Sequence, residues 1–263
     1  MRQIAIALAI FATLLVAVPT SSTWSVVALD RVSGELVIAS ATCVAQARFA
    51  AFPSKGLMDI QAIVVPGKGI AAAQAGFDRT RANQTLIAEE LRKGTSPEAI
   101  LALLQKDPDI ERRQFGILDL EGRSAGFSGS GNRDASLDVQ GSVNGTDIHY
   151  SIQGNILASG DVVRNAVAAF EASSGSLTDR VMAAMEAADT AGGDGRCTCE
   201  SEPLPDAPCD GKTSHVAYIL SADGSTGDGE YALFIDVTDE NIEPHENANP
   251  IKTLRMRYDA LVP

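Results

Sequence analysis

Apolar positions along the chain repeat with two different periods, and the switches between them mark the elements. Thr23–Leu29 (T-W-S-V-V-A-L) and Glu35–Ala41 are apolar runs rich in β-branched residues. Asp30, Ser33 and Gly34 between them suit a tight turn, so the pattern predicts a β-hairpin. Gln46–Ile60 is ambiguous: Phe49, Phe52, Leu57 and Met58 suggest packing, while Pro53 and Gly56 interrupt any regular element. Ile63–Val65 and Gly69–Ala75 read as short strands around a P-G-K-G turn. Leu86, Ile87 and Leu91 recur at helical spacing in Arg79–Lys93, which Gly94 ends. Ser96 caps a second helix that has Pro97 at its first position and runs to about Gln105. Phe115–Asp119 and Ser124–Ser128 predict a strand pair turning at Glu121–Gly122. Ser130–Gly145 is polar and glycine-rich and reads as a loop, followed by a short strand at Tyr150–Gln153.

Ser159 or Asp161 starts a helix over Val162–Ala172, with Val163, Val167 and Phe170 in one stripe. Leu177–Ala188 is a second amphipathic helix. Gly192–Thr213 breaks the pattern with C-T-C, three prolines and acids. His215–Ser221 and Tyr231–Val237 return as strands, and Ile251–Leu261 is a terminal helix. Strands and helices in such blocks predict an α+β fold, with two antiparallel sheets stacked between helical layers. Its extent is read as one domain over 23–263, with a cysteine-containing insertion at 197–213.

The first 22 residues change the picture at the amino end. Arg2, the apolar run Ile4–Val18 and the small, polar Pro19–Ser22 have the form of a secretory signal peptide. The run is shorter than the ~20 residues of a spanning helix. A cut before Thr23 puts Thr20 and Ser22 at positions −3 and −1; a cut before Ser21 competes. The expected location is periplasmic or secreted, with no membrane anchor after processing. Cutting before Thr23 would place a free α-amine on the residue that carries a hydroxyl. That is the chemistry of N-terminal nucleophile (Ntn) hydrolases, in which the amine serves as base and the hydroxyl attacks an amide carbonyl. The net charge of −13 and pI of about 4.6 argue against nucleic acid or anionic lipid as a partner. A small-molecule or peptide substrate fits better, and a homo-oligomer is left open.

Six stretches in order carry a family resemblance. They are T-W-S-V-V-A-L-D at Thr23–Asp30, A-A-Q-A at Ala72–Ala75, R-Q-F-G-I-L-D at Arg113–Asp119, F-S-G-S at Phe127–Ser130, Y-S-I-Q-G-N-I-L at Tyr150–Leu157 and A-G-G-D-G-R at Ala191–Arg196. The chain resembles the uncharacterised family catalogued as domain of unknown function 1028. The resemblance implies the Ntn-hydrolase-like αββα fold; a reaction follows only by analogy. Ser128 departs from a usual Thr and Ala73 from a frequent Thr. Cys197–Thr213 intervenes where the family passes through a short run into a strand, and the signal peptide is an addition.

Candidate site residues follow, each with a plainer reading. Thr23 is the nucleophile, or a β-former at a strand start. Asn155 would donate its side-chain amide to an oxyanion, with Gly154 letting backbone approach; otherwise Asn155 is a turn residue before a helix. Gln74, polar among alanines, orients substrate or ties strands together, and Gln153 binds substrate or faces solvent. Asp194 and Arg196 would hold a substrate amine or carboxylate, or form a surface ion pair. Arg113 and Gln114 precede a strand and read as structural. Asp30 pairs with the new amine or with a lysine across the hairpin, or simply serves the hairpin turn.

His149, His215 and His245 have no ligand spacing, the cysteines lack a paired C-x-x-C and there is no G-x-S-x-G elbow. Neither a metal, nor a cofactor, nor a serine triad is expected. Four cysteines allow about three pairings. Cys197 and Cys199 are too close to pair easily, which favours Cys43–Cys197 with Cys199–Cys209. The resulting reading is an exported amidohydrolase acting on a small peptide, amino-acid amide or cell-wall fragment. The alternative is a non-catalytic binding or structural module of the envelope on the same fold.

Overall fold

A computed structural model describes residues 23–51, 55–133 and 135–262. The predicted signal peptide and its cut, with Phe52 and Pro53, lie outside the described residues. The predicted hairpin is present as β1 (Thr23–Asp30) and β2 (Glu35–Thr42), paired Thr23 to Thr42 through Asp30 to Glu35. Gly34 closes its turn at φ 76°, a conformation cheap only without a Cβ.

The ambiguous stretch forms a 3₁₀ turn at Gln46–Ala51 and a short helix, α1 (Leu57–Gln61). Next come β3 (Ala62–Val65), β4 (Gly69–Ala75), α2 (Ala82–Lys93) and α3 (Pro97–Leu104). Helix α2 starts later than predicted because Asp78 accepts from the Thr80 and Asn83 amides, holding the preceding turn out of the helix. The chain continues through β5 (Arg113–Asp119), β6 (Ser124–Ser128), β7 (Leu137–Ser142) and β8 (Ile148–Asn155). It ends with α4 (Asp161–Ala172), α5 (Leu177–Thr190), β9 (Val216–Ala222), β10 (Leu233–Thr238) and α6 (Pro250–Leu261).

Two expectations are corrected. The stretch read as a loop over Ser130–Gly145 contains β7, an edge strand in which Leu137 and Val139 pack on the core beside α4. Its short alternation is diluted by Gly141 and by polar residues facing the other way. The strand read at Tyr150–Gln153 extends from Ile148 to Asn155, so Gly154 and Asn155 are strand residues rather than a turn.

The strands form two antiparallel sheets. One has six strands in the order β10-β9-β2-β1-β8-β7, the other four in the order β3-β4-β5-β6. Trp24, Val26 and Ala28 of β1 pack with Phe170, Val181, Met185, Leu254 and Tyr258 from α4, α5 and α6. On the opposite face of β1, Val27 and Leu29 meet Ile70 and Leu118 of the four-stranded sheet. The outer face of that sheet, with Ile63, Ala71 and Phe115, is covered by Ile87, Leu91, Ile100 and Leu104 of α2 and α3. The architecture is an α+β fold with two antiparallel sheets flanked by helices. Burial on both faces explains why β1 and β2 read as continuous apolar runs instead of alternating. Among the described residues, no helix is long and apolar enough to cross a membrane.

Candidate functional site

The space between the sheets is apolar at one end and polar at the other. Thr23 begins β1, directly opposite Thr42 of β2 and Asn155 of β8. Opposed strand residues share a sheet face, so these side chains form a row. The next row is Ser40, Ser25 and Gln153, and only then do Val27 and Leu29 restore an apolar interface. The polar rows meet Gln74 and Gln114, neighbours across β4 and β5.

The Gln74 amide is saturated. Its Oε1 accepts from Ser25 Oγ at 2.7 Å and Gln61 Nε2 at 2.6 Å. Its Nε2 donates to the Thr23 carbonyl at 3.1 Å and to Gln114 Oε1 at 2.7 Å. Gln114 Nε2 donates onward to Ser128 Oγ at 2.6 Å and to the Gly154 carbonyl at 2.9 Å. Gln153, which sequence alone left free to face solvent, is fully buried; it donates to Ser25 Oγ and accepts from Ser151 Oγ. Tyr218 donates to Gln61 Oε1 at 3.0 Å, and full burial pushes its phenol well above the ordinary value, so it stays a neutral donor. Gly116 makes room for this network: a Cβ there would collide with the Gln153 amide and lie 2.6 Å from Ser151 Oγ. Such a network fixes the register of two facing sheets at the point where Thr23 enters.

Thr23 is 2 % exposed and its hydroxyl donates to Thr42 Oγ1 at 3.3 Å. It lines a cavity of about 50 Å³ with Gln61 and Gln74, walled by Phe49, Leu57, Phe77 and Phe115. Arg113 and Gln84 also line it. Arg113 is engaged, donating to Asp107 at 2.8 Å and to the Gly76 carbonyl at 2.6 Å. Gln84 differs. Its Nε2 donates to the Ile60 carbonyl at 3.0 Å, which settles the amide orientation, and its buried Oε1 has no hydrogen-bond donor among the described residues. Two residues bordering this end have left-handed backbone, Ala75 at φ 72° and Ile156 at φ 55°. For a β-branched residue that conformation is a genuine outlier, of the kind that clusters at functional sites.

The other sequence candidates fall around this centre. Asn155 is fully buried on β8. At Gly154 an added Cβ would lie 2.6 Å from Leu157, so the missing side chain admits Leu157 on the helical side of the sheet. Asp194 is fully buried and Arg196 holds it with two hydrogen bonds, at 2.9 and 2.8 Å, so each charge engages the other. Neither is among the residues lining the Thr23 cavity. Asp30 lies at the far end of β1, seven residues or ~23 Å from Thr23, and accepts from the Val32 amide in the hairpin turn. The turn reading therefore replaces the pairing with a new amine. Gln61, Thr42 and Gln84 were not singled out in sequence. The one signal for Gln61 is the same as for Gln74, a glutamine in a mostly apolar element, whereas Gln84 sits on a largely polar helix and carries no such signal.

Both expected disulfides are present, Cys43–Cys197 and Cys199–Cys209. The first ties the residue after β2 to the Asp194 loop. His215 lies beside it, and burial, reinforced by Lys212 and opposed by Asp194, pushes its imidazole down to about 4. The loop also packs on β1, for a Cβ on Gly193 would lie 2.7 Å from the Trp24 ring.

No curated protein matches this chain. The crystal structure of protein SPO2555 from Silicibacter pomeroyi is similar in fold, with a TM-score of 0.66 and 23 % identity over 92 % of this chain and 87 % of that one. That structure carries the same family description, and the model of this family of unknown function, DUF1028, matches residues 23–204 here. Because that match begins at the first residue of β1 and spans well over half of the chain, the protein belongs to the DUF1028 family.

Proposed function

We propose that the protein is an exported amidohydrolase of the Ntn type, whose mature chain begins at Thr23. The observation that carries this reading is the position of Thr23. It is the first residue of a central strand, its carbonyl is held by Gln74, and its side chain borders a largely apolar cavity. The layering of two antiparallel sheets between helices accords with an Ntn-hydrolase-like fold, and the family match starting at Thr23 accords with processing there.

In the proposed step Thr23 Oγ1 attacks an amide carbonyl while the new α-amine takes the hydroxyl proton, through a water. A free α-amine titrates at ~7.7–8.0, close to working pH, which suits it as a base. Asn155, paired with Thr23 from the adjacent strand β8, supplies the side-chain N–H to the oxyanion, and Gly154 the neighbouring backbone. The group bound in the cavity is apolar, and a donor on it would satisfy Gln84 Oε1. A small peptide or amino-acid amide has that character.

The test is an amide-substrate panel assayed with protein whose intact mass shows Thr23 at its amino terminus. Thr23→Ala should abolish turnover with the fold retained, and Thr23→Ser should keep part of it. Asn155→Ala should lower kcat by ~10²–10³ with little change in KM, the usual cost of losing an oxyanion donor. Turnover by Thr23→Ala at the wild-type rate refutes the nucleophile. Correctly processed protein with no turnover on any substrate favours the binding module.

A further inference from the structure

The histidines and cysteines show no ligand spacing in sequence, yet the fold gathers three of them. One ligand atom each from Cys43, Cys197 and His215 lies within 4.8 Å of the others. The three come from the end of β2, the loop after α5 and the residue before β9, brought together because β2 and β9 are neighbours in the sheet. His215 is held rigidly: its amide donates to the Thr42 carbonyl at 2.8 Å, and its carbonyl accepts from the Asp239 amide at 3.0 Å. Its side chain is not so well served. His215 is 4 % exposed, and its Nδ1 has no hydrogen-bond partner among the described residues. A polar ring atom buried at that level nearly always has one.

We propose that these three residues form a redox-gated site for one thiophilic cation of the Zn²⁺ or Cu⁺ class. Two equivalents of a thiol reductant break the Cys43–Cys197 bond, leave as their own disulfide, and generate two protein thiols. Binding of a divalent cation then releases both thiol protons, and the two thiolates balance its charge. Two sulfurs and one imidazole are the soft donor set that selects such ions over Mg²⁺ or Ca²⁺. Tetrahedral zinc holds its sulfurs at ~2.3 Å, which places them ~3.8 Å apart. The Cα atoms of Cys43 and Cys197 are 5.8 Å apart, so side-chain rotation accommodates this without moving the backbone at either cysteine. Cys43 is only partly buried, which leaves the fourth position to water. While the disulfide is closed neither sulfur is a thiolate, and the site does not bind.

The proposal stands apart from any hydrolytic activity, and its test uses none. Cys199→Ser with Cys209→Ser leaves Cys43 and Cys197 as the only thiols among the four cysteines. This protein, reduced and freed of reductant without air, is titrated with Co²⁺ and then Zn²⁺. One equivalent of Co²⁺ should give a near-ultraviolet thiolate charge-transfer band that one equivalent of Zn²⁺ removes. His215→Ala should weaken Zn²⁺ binding at least tenfold and alter the visible cobalt bands. Zn²⁺ should raise the melting temperature of the reduced protein and leave that of the oxidised protein unchanged. Absence of the thiolate band refutes the site. So does unchanged affinity in His215→Ala, equal binding by oxidised protein, or a reduced chain that is unfolded and not restored by Zn²⁺.

Discussion

Gln74→Leu removes the amide at the centre of the inter-sheet network while nearly conserving its volume. Four hydrogen bonds go with it, to Ser25, Gln61, Thr23 and Gln114. The partners are not equally harmed. Ser25 Oγ still accepts from Gln153, and Gln61 Oε1 still accepts from Tyr218. The Thr23 carbonyl borders the cavity, where a water can reach it. Gln114 Oε1 and Gln61 Nε2 bear most of the loss. A buried polar group left unpaired costs about 1–3 kcal/mol, and the partial rescues hold the four partners near the low end, about 4 kcal/mol in all. The leucine returns about 1 kcal/mol through its apolar surface. A net loss of about 3 kcal/mol is a large share of the 5–15 kcal/mol that holds a typical domain together. For a chain of this size it lowers Tm by ~6–12 °C. Urea denaturation of the oxidised protein measures it, with the double variant Gln74→Leu/Gln114→Leu closing a cycle. The two amides are bonded to each other, so the double variant should cost at least 1 kcal/mol less than the sum of the singles. A single-variant cost below 1 kcal/mol, or strict additivity, would show that the network does not hold the sheets together.

Three further outcomes follow from other parts of the structure. Gly116→Ala should cost ~1–3 kcal/mol, because the new methyl meets the Gln153 amide; a combined Gly116→Ala/Gln153→Ala variant should recover part of this in the same denaturation assay. Cys43–Cys197 closes a span of 154 residues and Cys199–Cys209 one of 10. In the chain-entropy model Cys43→Ala/Cys197→Ala should therefore cost ~5 kcal/mol and Cys199→Ala/Cys209→Ala ~2–3 kcal/mol, and equal costs would contradict that ordering. The Ser176 hydroxyl, with Tyr258, holds the Asp179 carboxyl below its ordinary value at the start of α5. A carboxyl depressed in the folded state gives stability that is present above its unfolded pKa and lost as pH falls through the folded one. The urea midpoint should thus fall less steeply below pH ~4 in Asp179→Asn than in wild type; parallel acid limbs would rule out this contribution.

Much of this fold is decided locally. The hairpin, the paired short strands, the Ser96 helix start, the amphipathic helix from Leu177 and the disulfide-bearing loop were legible, because turn chemistry, capping and apolar period act within a few residues. The block order of these elements was enough to imply layered antiparallel sheets. Tertiary structure decided the rest. Strand β7 hides in polar sequence because half of its residues face the glutamine-rich interface and an edge strand needs only one apolar face. Gln153 looks exposed by alternation, yet it is buried because the second sheet opposes it with Gly116. Cys43, Cys197 and His215 are separated along the chain by long intervals and meet only because β2 pairs with β9 in the sheet. Contacts of that range depend on sheet order, and sheet order is set by how all the faces are buried together, which no local window of sequence contains.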